Sequence, residues 1–166
     1  MGLTAIRFLA VVLTGLALVA PGAHFLELAN KISLPEEQYF VVQAIYRGWW
    51  IVGIALPLAL VTNLVLAIMI RQDRLGFRLA IVGAALIGLN LTIFSFWTYP
   101  ANAFTENWSV RPDNWEILRR QWEYSHAINA IVTFFAFCFA TIAALRVPSR
   151  RVEHTRAPEL RVPELQ

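Results

Sequence analysis

Side chains able to do chemistry concentrate in one stretch of this chain, residues 96–129. The stretch carries His126 with Glu123 one helical turn earlier, together with four tryptophans and several asparagines. The sequence on either side of it is apolar and poor in ionisable groups. A histidine in such surroundings can act as a general base, because burial and a neighbouring carboxylate set its pKa. The stretch therefore predicts a site for proton transfer.

A second histidine–carboxylate pair, His24 with Glu27, lies near the end of the first apolar segment. In a four-helix membrane protein the first and last helices run antiparallel, so this pair and the Glu123–His126 pair are expected at similar depth. Two histidines and two carboxylates can hold a metal ion, as Glu-x-x-His pairs do in di-iron bundles. That template requires more carboxylates than these, so no cofactor is predicted and a metal is the less favoured alternative.

Two metal-free interpretations of the same residues stay open. In the first, His126 is a general base in a functional pocket. In the second, charged side chains form an ion-pair and hydrogen-bond network that only fixes the adjoining loop. The members of that network are Glu27, Glu116 and Glu123 with Lys31, Arg119 and Arg120.

The helix that carries His126 is predicted to begin before its membrane-spanning part. Asp113 and Glu116 have the spacing of a capping box, which predicts a helix over 114–146. Such a helix is about 50 Å long, more than the hydrocarbon thickness of a bilayer, so its first turns extend beyond the membrane. A polar and aromatic stripe along it must face the bundle or a cavity rather than lipid. The stripe comprises Trp115, Arg119, Trp122, His126, Asn129 and Thr133.

The composition of the chain indicates a membrane protein. Hydrophobic residues make up 58% of the sequence and charged residues 15%, with a mean hydropathy of +0.56. Four apolar segments, at about 4–29, 48–70, 77–99 and 114–146, are long enough to span a bilayer as helices. The predicted fold is an all-α, integral membrane four-helix bundle. The first segment also resembles a cleaved signal peptide, but its apolar pattern continues past Pro21, which favours a retained span.

The distribution of basic residues predicts the topology. The side that holds both termini and the 71–76 link, called side A, carries nine basic residues. The side that holds the 30–47 and 100–124 connections, called side B, carries five. The positive-inside rule therefore places both termini in the cytoplasm of a multi-pass cell-membrane protein. Residues 1–146 form the transmembrane domain, and 147–166 are predicted to be a disordered basic tail.

All six tryptophans and all four tyrosines fall on side B. Membrane anchoring alone would place aromatic residues at both interfaces, so the sequence favours an aromatic-lined site there. Asn63 and Asn90 fall near the middle of their spans and are predicted to bond between helices, the alternative being a buried polar site at that depth. Small residues that recur every four positions predict close helix packing. They are Ala80, Ala84 and Gly88 on the third span and Ala136, Ala140 and Ala144 on the fourth.

Several motifs resemble those of the anthrone oxygenase-like family of small membrane proteins. These motifs are His24-x-x-Glu27, Thr98-Tyr-Pro-Ala-Asn102, Asn107-Trp108, Asn114-Trp115-Glu116-x-x-Arg119 and Trp122-x-x-x-His126. The resemblance extends to about Arg146 and implies a four-helix bundle. For the characterised branch of that family it also implies monooxygenation of anthrone-type polyketides to anthraquinones, without an established metal or flavin.

The sequence thus predicts a side-B pocket for a flat hydrophobic small molecule. The predicted catalytic residues are His126 as base with Arg119, Asn102, Asn107 and Asn114 as anion stabilisers. The predicted ligand-binding residues are Trp97, Trp108, Trp115, Trp122, Asn129, His24, Glu27 and Glu123. The rival interpretation is a non-catalytic scaffold or accessory subunit whose 100–124 loop docks a membrane protein partner or a second copy. The lipid bilayer is a partner in both cases, and no basic patch on a soluble fold indicates nucleic acid.

Overall fold

The computed structural model describes residues 2–146, which are helical along most of their length. No β-strand occurs in this part of the chain. The helices, in chain order, are α1 (Leu3–Lys31), α2 (Glu36–Gln43), a 3₁₀ turn (Ala44–Tyr46), α3 (Trp50–Gly53), α4 (Ala55–Met69), α5 (Arg74–Ile93), a π-helix (Phe94–Thr98), α6 (Tyr99–Phe104) and α7 (Trp115–Leu145).

Four helical segments are long and apolar enough to cross a membrane, which confirms the predicted fold class. They are Leu3–Lys31, Trp50–Met69, Arg74–Phe104 and Trp115–Leu145. Helix α1 packs against α4 and α7, and α5 packs against the same two helices. Each long helix therefore contacts two antiparallel neighbours, as in an up-down-up-down bundle.

The packing seams are close to those predicted. Ala80, Ala84, Ala136 and Ala140 are almost fully buried. On α5, however, the glycine at the seam is Gly83, where an added Cβ would lie 3.4 Å from the Ala136 carbonyl oxygen. The predicted Gly88 meets no other side chain or helix within 4 Å. The predicted face is confirmed for Ala80, Ala84, Ala136 and Ala140. The last small residue is wrong on both helices: Gly83 packs in place of Gly88, and Ala143 is buried in place of Ala144.

Mid-span asparagines bond between helices, as predicted. Asn63 Nδ2 on α4 donates to Thr14 Oγ1 on α1 at 3.0 Å. Asn90 Nδ2 on α5 donates to Thr133 Oγ1 on α7. Because hydrocarbon offers no hydrogen-bond partners, these bonds fix the rotation of each helix about its axis.

Prolines disturb the helices toward side B. Pro57 has no N–H to donate to the Gly53 carbonyl, and the chain breaks between α3 and α4 at Ile54. Pro100 likewise cannot bond to Phe96, and the preceding residues widen into the π-helix. The third span then continues through Pro100 to Phe104, longer than the 77–99 segment predicted. Residues 100–104 are therefore helix rather than loop.

One other prediction on side B needs correction. The capping box is absent: Asn114 is the N-cap of α7, no side chain caps the helix, and α7 begins at Trp115. The 30–47 connection, for which the sequence analysis predicts no element, contains α2 and a 3₁₀ turn. Pro35 precedes α2, and acidic residues in its first turn favour a helix start there. The tail predicted over 147–166 lies outside the described residues.

At side A an ion pair joins the α4–α5 link to the end of α7. Arg146 Nε donates to Asp73 Oδ2 at 2.7 Å and Arg146 Nη2 to Asp73 Oδ1 at 3.1 Å. Arg7 Nη2 donates to the Arg146 carbonyl at 2.8 Å. The hydrogen bond from Arg146 lowers the pKa of Asp73, and the same bond raises the pKa of Arg146. Three of the four spans are thus tied together at this end.

Candidate functional site

A buried ammonium group organises side B of the bundle. Lys31, in the last turn of α1, is only 2% exposed. Its Nζ lies 3.1 Å from Glu123 Oε1 on α7 and 3.4 Å from Glu27 Oε2 on its own helix. It also lies 3.4 Å from His24 Nδ1. An ammonium group has no acceptor, so His24 receives this hydrogen bond as a neutral imidazole.

Two tyrosines from the 32–49 connection also donate hydrogen bonds to these carboxylates. Tyr39 donates to Glu123 Oε1 at 3.0 Å, and Tyr46 donates to Glu27. Burial and the Glu123 carboxylate raise the pKa of Tyr39 well above its ordinary value of about 10. Burial and the hydrogen bond to Glu27 raise the pKa of Tyr46 as well. Both phenols therefore remain donors, which the carboxylates require.

Stacked rings lead from this charged cluster into the bundle. The ring centroids of His24 and His126 are 4.4 Å apart, and Trp122 lies 4.5 Å from His24 and 4.3 Å from His126. Lys31 Nζ lies 4.9 Å from the centroid of the Trp122 ring, within cation–π range. His126 is thereby held by rings on α1 and α7, one layer deeper than Lys31.

Beyond His126 the bundle encloses a partly open cavity of about 70 Å³. All four spans contribute to its wall, and most of the lining is apolar. The lining residues are Ala17, Ala20, Pro21, Val52, Gly53, Leu56, Asn90, Phe94, His126 and Asn129. The volume is enough for a few water molecules or for a small part of a larger molecule.

Polar atoms at this cavity lack partners. His126 Nδ1 and Asn129 Oδ1 are buried and make no hydrogen bond within residues 2–146. Buried polar groups are usually paired, because leaving one unsatisfied costs about 1–3 kcal/mol. Asn90, the third polar residue of the wall, is engaged with Thr133. Two unpaired atoms thus belong to residues one turn apart on α7 that line the same cavity.

The π-helix borders the same region. Thr98 Oγ1 lies 2.8 Å from Ser125 Oγ, which holds the π-helix against α7, and Phe94 at the other end lines the cavity. Helical segments of this type often occur at functional sites, since the widened turn repositions side chains. Here the widened turn brings an aromatic ring to the cavity beside Asn90.

Comparison with known proteins gives one family. A family model described as PUCC protein matches residues 2–149. The chain belongs to the PUCC protein family. No curated protein and no solved structure matches this member of the family. The match covers all four spans. It does not test the resemblance to anthrone oxygenase-like proteins, which stays a prediction.

Of the side chains predicted from the sequence, His126 and Asn129 lie at the cavity of this PUCC family protein. His24, Glu27, Glu123 and Trp122 lie in the adjoining charged and aromatic cluster. Trp108 and Trp115 pack with Tyr39 and Phe40 farther toward side B. The predicted aromatic wall is thus a packed layer of rings outside the cavity.

The predicted anion stabilisers lie elsewhere. Arg119 Nη1 donates to the Leu34 carbonyl at 2.8 Å, and its guanidinium stacks over Trp115. Asn102 Oδ1 accepts from Trp122 Nε1 at 2.8 Å. Both side chains therefore position other parts of side B.

Asn107, Asn114 and Trp97 are exposed. Asn107 has a positive φ of 56°, a conformation that asparagine tolerates better than most residues, and Asn114 ends the loop before α7. Trp97 is 52% exposed. None of the three lines the cavity.

The ammonium of Lys31 occupies the point at which His24, Glu27 and Glu123 converge. Within residues 2–146 no group of three or more His, Cys, Asp and Glu has an arrangement that could hold a metal. The structural network predicted from the sequence forms in part, through Lys31, Glu27 and Glu123.

Sequence reasoning missed Tyr39, Gln43 and Tyr46. Gln43 donates to Tyr39, which donates to Glu123, so α2 is tied to α7 through a chain of buried side chains. The available signal was the i, i+4 spacing of Tyr39 and Gln43 within a short amphipathic segment after Pro35.

Proposed function

We propose that this protein is a membrane-embedded enzyme that oxygenates an anthrone-like compound, with His126 as its general base. The observation that supports the proposal is that His126 and Asn129, which line one cavity, each have a buried and unpaired polar atom, Nδ1 and Oδ1. A base must have a free nitrogen within reach of the proton that it removes. His126 is the histidine that meets this condition in the described bundle, since His24 accepts from Lys31.

The reaction needs only the organic substrate and dioxygen. His126 takes a proton from the methylene group between the aromatic rings, and the pair of electrons left behind is delocalised onto the carbonyl oxygen. Dioxygen then accepts electrons from that carbon and forms a C–O bond. Loss of the second methylene hydrogen and cleavage of the O–O bond give the quinone and water, so anthrone plus O₂ yields anthraquinone plus H₂O.

The environment of His126 suits this role. A mainly apolar, small cavity excludes bulk water, which strengthens the interaction of a base with an acidic C–H group. His24 and Trp122 pack against the His126 ring, and Lys31 contacts both of them. Lys31, with its partners Glu27 and Glu123, therefore acts as a positioning residue.

The cavity constrains how a ligand binds. Pockets for drug-sized ligands usually enclose about 300–1,000 Å³. This cavity is about 70 Å³, so a flat tricyclic molecule places only its reacting edge against His126. The remainder of its ring system lies outside the cavity, against the apolar surface of the bundle.

Oxygen consumption tests the proposal. Purified protein in nanodiscs is mixed with 1,8-dihydroxyanthrone, and oxygen uptake and quinone absorbance are followed. The expected result is quinone formation by wild type that is lost in His126→Ala and retained in Tyr124→Phe, an exposed position on the same helix. If wild type gives no rate above the uncatalysed one, or if His126→Ala matches wild type, the proposal fails.

A second candidate is a docking function of the side-B surface, for a membrane protein partner or a second copy. The observation that favours it is the exposure of Phe104 and Ile117, at 71% and 67%. Both lie within the 100–124 segment. Replacing both with serine leaves quinone formation unchanged if the protein is an enzyme, and changes the oligomeric state in nanodiscs if the surface docks another copy.

A further inference from the structure

The cavity beside His126 opens on one side of the bundle. Most of its lining residues are buried or half-buried, and the two exposed ones are Gly53 and Phe94. A Cβ added at Gly53 would meet no heavy atom within 4 Å, and the Phe94 side chain is 36% exposed. The opening therefore lies between α3 and the start of the π-helix.

The backbone explains why the bundle is not closed there. A single turn residue, Ile54, separates α3 from α4, and Pro57 lies in the first turn of α4. Within residues 2–146, α3 packs substantially against α1 and α4 but not against α5 or the π-helix. On the other side of the gap, Pro100 widens the preceding turn into the π-helix that begins with Phe94. The junction of α3 with α4 and the π-helix thus both contribute residues to the cavity wall.

The opening lies within membrane-spanning segments. Gly53 belongs to the span Trp50–Met69 and Phe94 to the span Arg74–Phe104. The neighbouring Ile51 and Ile54 are exposed, at 62% and 47%, so the surface around the rim is apolar. Behind the rim lie the unpaired atoms of His126 and Asn129.

We propose that Gly53 and Phe94 form a lateral portal that admits small molecules from the bilayer to His126 and Asn129. The molecules that fit are apolar compounds with one polar, hydrogen-bonding edge. The apolar body remains in contact with lipid at the rim, and the polar edge reaches the unpaired atoms. This route is independent of the reaction proposed for His126, because it concerns access alone.

Photolabelling in liposomes tests the portal. A phenyl-substituted trifluoromethyl diazirine, which partitions into lipid, is activated by light, and the labelled residues are mapped by mass spectrometry. In the wild type, label is expected at His126 and Asn129 in addition to the lipid-facing side chains of α7. Gly53→Trp, which fills the rim, is expected to abolish label at those two residues and keep it at exposed Phe134 and Phe135.

Gly88→Trp is the matched control. An added Cβ at Gly88 also meets no heavy atom within 4 Å, but Gly88 does not line the cavity. Label at His126 and Asn129 should persist in this variant. If Gly53→Trp fails to fold, Gly53→Leu against Gly88→Leu makes the same comparison with a smaller side chain.

Three results would overturn the portal. Absence of label at His126 and Asn129 in wild type means that the site is closed to the bilayer. Equal labelling in wild type and Gly53→Trp means that entry occurs elsewhere. Protection of both residues by a membrane-impermeant aqueous scavenger, glutathione, means that the cavity is reached from water. Because no turnover is measured, these outcomes are separate from failure of the proposed reaction.

Discussion

Lys31 and Glu123 form a buried ion pair that joins α1 to α7, with 3.1 Å between Nζ and Oε1. Lys31 is 2% exposed and Glu123 is 0% exposed. The pair has additional donors and acceptors in Tyr39, His24 and Glu27. Taking two charges out of water is costly, and the cost is offset only when such further hydrogen bonds are made. The pair therefore acts as a specific lock between the first and last spans.

Removal of one partner should be strongly destabilising. Lys31→Met leaves the Glu123 carboxylate buried without its counter-ion, for which the expected loss is about 3–5 kcal/mol in unfolding free energy. The measurement is unfolding in detergent micelles by denaturant, followed by tryptophan fluorescence. Arg120→Met, which removes an exposed cation from α7, is the control and should change little.

The double variant Lys31→Met/Glu123→Gln distinguishes the pair from the packing of Lys31. It removes both charges together, so much of the lost stability should return. A double variant no more stable than Lys31→Met would contradict the assignment of an ion pair.

The Asn129 side chain is expected to lower the unfolding free energy of the protein and to promote quinone formation. Its Oδ1 is buried and unpaired, so Asn129→Leu removes an unsatisfied polar group and should raise the unfolding free energy by about 1 kcal/mol. The same change should reduce quinone formation, because Asn129 faces the cavity beside His126. Denaturant unfolding and oxygen uptake are measured on one preparation.

Asn63→Leu is the matched control for Asn129. Asn63 is also buried and its Oδ1 is also unpaired, but its Nδ2 donates to Thr14 and to the Ala59 carbonyl. Its replacement should therefore lower stability. Equal effects of the two substitutions on stability would contradict a ligand-facing role for Asn129.

The ion pair of Asp73 with Arg146 should make stability depend on acidic pH. The hydrogen bond from Arg146 lowers the pKa of Asp73 in the folded protein. The stabilisation is therefore complete above the unfolded pKa of about 4 and is lost as the pH falls through the lower folded value. Asp73→Asn should be less stable than wild type at pH 7, with the difference shrinking in acid.

Thermal unfolding of both proteins between neutral and strongly acidic pH measures this dependence. Asp113→Asn, at an exposed loop position on side B, is the control and should not change the acid limb. A difference between Asp73→Asn and wild type that is constant across the range would show that the ion pair is not its source.

Much of the bundle follows from the sequence, because a bilayer imposes strong rules. Polar side chains avoid lipid, so the stripe of Trp122, His126, Asn129 and Thr133 at helical spacing indicated the inward face of α7 correctly. The same rule, applied to Asn63 and Asn90, predicted hydrogen bonds between helices. In both cases the prediction depends only on the sequence of one helix and on the apolar lipid that surrounds it.

The arrangement of side B required the folded chain. Arg119 has the properties of an anion-binding residue, yet its partner is the Leu34 carbonyl, a backbone atom that no side-chain pattern indicates. The exposure of Asn107 and Asn114 likewise depends on how the loop before α7 folds. The cavity is lined by residues of all four spans, Gly53 and Phe94 among them, so its position depends on how the spans pack in space.

Proton abstraction by His126 is tested most directly without oxygen. Protein in nanodiscs is incubated anaerobically in D₂O with 1,8-dihydroxyanthrone, and the loss of the methylene proton signal is followed by NMR. Wild type is expected to accelerate the exchange of this proton for deuterium. The His126→Ala variant is expected to exchange at the rate of protein-free nanodiscs, and Tyr124→Phe at the rate of wild type. Equal exchange in wild type and His126→Ala would contradict the assignment of His126 as the base.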